Sequence, residues 1–144
     1  MPNTAFVTAA LICQHILEEK DGTLSVIRIA DKYIAEPPSE VGTQENQLVP
    51  AIPINMLIVV RGTGPGPHSI GIKPILPSGT PLTQREVPIE LSSPGHSHNL
   101  ILRSVLGLVE GSGLYWFEVF LDKELCFRVP LQIEIAQPGE AQKV

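Results

Sequence analysis

Apolar and polar positions alternate along the last third of the chain with the period of a β-strand. From residue 125 to 135 every second residue is apolar: Leu125, Phe127, Val129, Leu131, Ile133 and Ile135. Cys126, Arg128, Pro130, Gln132 and Glu134 lie between them. Successive side chains of an extended strand point to opposite faces, so the pattern predicts a strand with one face in a core and one in water. The preceding segment repeats it, with Tyr115, Phe117, Val119 and Leu121 on one face and Trp116, Glu118 and Phe120 on the other. Asp122-Lys123 between the two predicts a hairpin turn.

The same reading carries back along the chain. Residues 4–17 predict a strand, with room for a helical turn near 14–18. Lys20-Asp21-Gly22 turns it, because Asp-Gly suits the positive φ of tight turns, and residues 23–33 return as one strand. Pro37-Pro38 stops that strand, and residues 39–47 read as a polar loop. Residues 54–61 are almost continuously apolar, which suits a central strand covered on both faces. Two glycine–proline pairs make residues 62–67 a loop. Residues 69–76 resume the sheet, and Pro77-Ser78-Gly79 turns it. Val87, Ile89 and Leu91 alternate with Glu86, Pro88 and Glu90, and the proline favours a sheet edge. After a loop at 92–98, residues 100–109 form another apolar run. Residues 137–144 read as a flexible tail after a domain spanning 1–136.

About eight strands with short turns predict an all-β fold, a single antiparallel β-sandwich with immunoglobulin-like packing. The composition agrees: 144 residues with 14 Pro and 12 Gly suit one strand-rich domain with a core of its own. A net charge of −5, with Lys and Arg scattered singly, argues against nucleic acid. No apolar run approaches the length of a membrane span, and the first residues lack the basic leader of a secretory signal. Two cysteines, Cys13 and Cys126, are too few for a disulfide framework. These readings place the chain in the cytoplasm, with no membrane partner.

Candidate chemistry is sparse. His96 and His98 are two residues apart and on a strand would share a face, so they are the candidate metal ligands. His-x-His also begins cupin metal sites, but Leu102 and Arg103 occupy the region where that pattern places its acidic ligand. A third ligand would have to come from His68, His15 or a cysteine. The loop at 62–68 lacks the lysine and helix of a phosphate-binding loop, and its prolines remove amides that would cradle an anion. There is no Gly-x-Ser-x-Gly elbow; Ser112 sits at an apparent turn. Three aspartates, Asp21, Asp31 and Asp122, are too few for calcium-binding loops. No cofactor and no catalytic residue are expected, so the chain reads as a non-enzyme. Tyr115, just after Gly113, resembles a tyrosine corner, which is a structural device.

The binding clue is Trp116 with Phe120, which share the face opposite the expected core. Aromatic side chains beside charges are frequent in protein interfaces. The competing expectation is a central strand covered on both sides.

An early Ala-Leu-Ile-Cys strand, the Glu19-Lys20-Asp21-Gly22-Thr23-Leu24 turn and the terminal Trp-Phe-Glu-Val-Phe-Leu-Asp…Val-Pro-Leu hairpin carry a resemblance. The chain resembles a family of small, uncharacterised bacterial or phage all-β proteins. The resemblance covers the two ends better than the middle and implies a compact all-β domain, with no site residues to transfer. The expectation is a non-enzymatic interaction or structural module of a bacterial or phage system, binding another protein or its own copies as a homo-oligomer. The alternative is a metal- or small-molecule-binding sandwich that uses the His96/His98 loop.

Overall fold

The computed structural model describes residues 4–36, 49–92 and 95–136, and these form strands and connections with no helix. The first three strands are β1 (Ala5–Glu18), β2 (Leu24–Ile29) and β3 (Lys32–Ala35). The middle of the chain gives β4 (Ala51–Gly62), β5 (Gly66–Ile75) and β6 (Arg85–Leu91). The last are β7 (Ser97–Gly107), β8 (Gly113–Leu121) and β9 (Glu124–Ile135). One sheet has four antiparallel strands in the order β2-β1-β4-β7. The other is mixed and has five, in the order β3-β9-β8-β5-β6.

The period-2 pattern explains the packing. β4 directs Ile54, Met56, Ile58 and Val60 into the core, and β8 directs Tyr115, Phe117, Val119 and Leu121 against them. Each fully buried aliphatic side chain contributes about 1.5–3 kcal/mol of transfer free energy, so the layer between the sheets holds this sandwich-like fold together. The other face of β4 is also partly covered: Leu57 is buried with Cys13 and Ile16 in a second cluster. That is why residues 54–61 lack alternation. β6 lies at the end of its sheet, where Pro88 costs no ladder hydrogen bond to a further strand.

Five sequence expectations are corrected. β1 continues to Glu18 as a strand, paired with β2 from Cys13 to Glu18, so no helical turn forms near 14–18. Residues 23–33 are two strands, because Arg28 takes a positive φ of 58° and the chain crosses to the other sheet. There β3 pairs parallel to β9, which makes that sheet mixed rather than antiparallel and raises the strand count to nine among the described residues. The two strands are far apart in sequence, so no short hairpin imposes antiparallel pairing.

The loop expected at 62–67 shrinks, since Gly62 ends β4 and Gly66 and Pro67 already pair with Leu91 and Glu90. Leu125 does not join the inner face. The β8–β9 register slips between Val119 and Phe120, leaving Cys126 as the extra residue of a bulge and Leu125 opposite outward-facing Phe120. The stop at Pro37-Pro38, the polar loop at 39–47 and the tail at 137–144 lie outside the described residues.

Two turns are fixed by local chemistry. Gly22 has φ 87°, and its N–H donates to the Glu19 carbonyl at 2.9 Å. Asp122 and Lys123 have φ of 49° and 72°, the paired positive values of a two-residue hairpin turn. The Asp122 N–H donates to the Ser69 carbonyl at 2.8 Å, and the Ser69 N–H donates to Asp122 Oδ1 at 2.9 Å. These bonds tie the terminal hairpin to β5.

Candidate functional site

β8 carries Leu114, Trp116, Glu118 and Phe120 outward in a row. Its neighbours complete the surface: Trp116 pairs with Ile75 of β5 and Pro130 of β9, Glu118 with Lys73 and Arg128, and Phe120 with Gly71 and Leu125. The Arg128 guanidinium carbon stands 4.7 Å from the centre of the Trp116 ring, and Lys73 Nζ stands 5.1 Å from that of Phe120. Both cations also approach the carboxylate between the aromatics, Arg128 Nε at 3.4 Å and Lys73 Nζ at 3.8 Å. Glu118 is 16% exposed and Arg128 51%.

Trp116 and Phe120 are therefore neither core residues nor free ones. Each is half-buried on the outer sheet face, with a cation on its ring. Cation–π contacts at exposed sites are worth about 0.5–1 kcal/mol, and exposed ion pairs about 0.2–1 kcal/mol. Their combined effect is to hold the aromatic rings in place. Glu118 is legible in the sequence as the neighbour of Trp116 and Phe120 on that face; Lys73 and Arg128 carry no local signal of this role. Arg128 could have been found by pairing the hairpin arms from the Asp122-Lys123 turn, had the bulge at Cys126 been foreseen. Lys73 depends on the long-range pairing of β5 with β8.

The histidines do not share a strand face. His98 lies on β7 opposite Val60, while His96 precedes the strand with φ 45°. Among the described residues the buried His96 Nδ1 has no hydrogen-bond partner. Among the described residues no three His, Cys, Asp or Glu side chains stand close enough together to hold a metal ion.

His68 instead joins Asp122, with Nδ1 at 2.7 Å from Oδ2. Burial works to raise the Asp122 carboxyl, but the hydrogen bonds from His68 and the Ser69 N–H, with the His68 charge, hold it below its ordinary value. The pair borders a groove of about 460 Å³ that Phe6, Leu125, Cys126 and Phe127 also line. Burial pushes the Cys126 thiol up despite backbone hydrogen bonds at Leu121 and Phe127, and its Sγ lies 3.3 Å from the Val119 carbonyl. A raised thiol pKa lowers the thiolate fraction and slows attack. Ser112 is also occupied, with Oγ accepting the Ile135 N–H at 2.9 Å.

No known protein family's model matches the sequence, and no curated protein matches it.

Proposed function

We propose that this chain is a non-enzymatic interaction module that pairs with a second copy of itself through the outer face of its five-stranded sheet. The carrying observation is the ordered Trp116–Glu118–Phe120 row with Arg128 and Lys73 laid on its rings. Tryptophan and arginine dominate interface energetics, and side chains already held in place lose less entropy on binding. The row is close to symmetric about Glu118. A two-fold axis there lays Trp116 of one copy against Phe120 of the other, the reciprocal contact that a symmetric dimer requires. Exposed Leu114 and Leu125, at 39% and 49%, extend the apolar contact at both ends.

Immunoglobulin-like packing belongs to the same proposal. It is supported by the Tyr115 hydroxyl, which donates to the Gly111 carbonyl at 2.7 Å as a tyrosine corner would. A cytoplasmic setting is supported by the free thiols of Cys13 and Cys126. A bacterial or phage origin rests on the resemblance of the two ends of the chain.

Hydrogen exchange at low and high protein concentration tests the surface. Added protection at high concentration should fall on residues 114–120 and 125–131. Protection at the β7 edge, or nowhere, would remove this face. A second reading, metal binding at His96 and His98, is favoured by the buried His96 Nδ1, which has no partner among the described residues. Zinc titration of the protein against its His96→Ala variant decides it, since equal uptake by both ends that reading.

A further inference from the structure

The two sheets close over most of their length but part at one side, where the β7 edge of one faces the start of β6 in the other. The gap is a cleft of about 180 Å³. Its floor is made of Met56, Ile72, Leu102 and Phe117, each buried and each from a different strand. Its mouth is made of Thr83, Arg85 and Ser104, all exposed.

Arg85 stands there for a reason of register. It pairs with Ile72, whose side chain is in the core, so Arg85 leaves the strand on that same side while Glu86 leaves it on the other. Glu86 is engaged with Ser69 and Gln84 at 2.6 Å each. Among the described residues Arg85 has no hydrogen bond or ion pair, and no carboxylate lines the cleft. Arg85 stands at the rim of an apolar cleft with the hydroxyl-bearing Thr83 and Ser104 beside it. Lys20, Arg103 and Lys123 likewise have no ion pair among the described residues, so what marks Arg85 is its place on the rim of an apolar cleft.

From this geometry we infer a binding site for a small amphipathic monocarboxylate. The apolar tail fills the space over Met56 and Phe117, and the carboxylate meets Arg85, with Thr83 and Ser104 as further donors. The guanidinium fork matches a carboxylate with two parallel hydrogen bonds, which a lysine or a neutral rim would not provide. Size sets the tail. A dry cavity of about 150 Å³ accepts benzene, so this cleft takes roughly six to eight carbons. It is too small for a peptide backbone, which separates the ligand from the protein partner of the outer sheet face. A ligand that binds the folded chain alone also stabilises the fold.

The test is methyl NMR of the full chain titrated with octanoate, and in parallel with octylammonium and octanol. Octanoate should give saturable shifts of the Met56, Ile72 and Leu102 methyls and bind at least about tenfold more tightly than octylammonium. Arg85→Gln, at an exposed position, should keep the fold, weaken octanoate about tenfold and leave octanol unchanged. Millimolar octanoate leaving those methyls unmoved would overturn the site. So would octylammonium binding as well as octanoate, or Arg85→Gln binding octanoate as the parent does.

Discussion

Arg128 of β9 lies over the indole of Trp116 on β8, its guanidinium carbon 4.7 Å from the ring centre, while its Nε reaches Glu118 at 3.4 Å. One side chain thus orients both an aromatic and a carboxylate on the neighbouring strand. The indole is covered by a cation yet remains on the surface, which suits a contact that forms and separates without unfolding.

Trp116→Ala removes that ring from a half-buried position outside the core. The fold should survive with a loss of about 1–2 kcal/mol, the cation–π contact and part of the ring's burial. Association should weaken by about 2 kcal/mol or more, the range of an interface anchor. Denaturant melts and concentration-dependent sedimentation separate the two effects. A variant that unfolds as readily as a core deletion would place Trp116 in the core's service instead.

Tyr115 is fully buried, and its hydroxyl donates to the Gly111 carbonyl at 2.7 Å across the β7–β8 turn. Tyr115→Phe keeps the ring and deletes that bond. Stability in urea should fall by about 0.5–1.5 kcal/mol with the m-value unchanged. A neutral substitution would mean that the hydroxyl does not fasten the turn.

The two thiols should react differently with a disulfide reagent. Cys13 is fully buried and burial raises its pKa, whereas Cys126 is exposed at the bulge. One thiol per chain should titrate in the native protein and two after unfolding. The native rate should be slow, because partial desolvation of the Cys126 sulfur beside the Val119 carbonyl raises its pKa as well, although the residue as a whole is exposed. Both thiols reacting at once in the native state would show that the layer over Cys13 opens readily.

Asp122 gives the hairpin a pH dependence of known sign. Its folded pKa lies below the ordinary 3.8: burial opposes this, and hydrogen bonds from His68 and Ser69 outweigh the burial. A depressed carboxylate stabilises the fold above its unfolded pKa, and that contribution is lost as pH falls from about 3.8 through the folded value. The carboxylate is 51% exposed, so the effect is modest. Between pH 5 and 2, Asp122→Asn should lose less stability than the parent. An equal loss would show that the carboxylate's contacts do not distinguish folded from unfolded chain.

Gly113 combines a positive φ with a close approach near the proposed surface. Its φ is 154°, and a Cβ would stand 2.7 Å from Pro77 Cγ. Gly113→Ala should displace the β5–β6 connection or the start of β8. Thermal melts should record this as a larger loss than Tyr115→Phe.

What the sequence makes legible follows from range. The β8–β9 hairpin, its Asp122-Lys123 turn and the inward row from Tyr115 to Leu121 are written in period-2 alternation and turn chemistry, both local. The edge position of Pro88 is legible for the same reason. The crossing at Ala30-Asp31 is not, because Arg28 at positive φ carries no glycine signal and β3 finds its parallel partner on β9. Leu125 is misread because a bulge shifts register without altering the alternation that announces a strand. Trp116 and Phe120 are visible as an outward pair. Lys73, Arg85 and His68 acquire their settings through pairings of β5 with β6 and β8 that no local pattern encodes.

Sedimentation equilibrium of the protein beside its Trp116→Ala/Phe120→Ala variant, from micromolar to hundreds of micromolar, tests the outer-face dimer most directly. A parent dimer that the double variant returns to monomer, with its circular dichroism unchanged, is the expected result. A parent that stays monomeric throughout, or a dimer equally tight in both proteins, would contradict it.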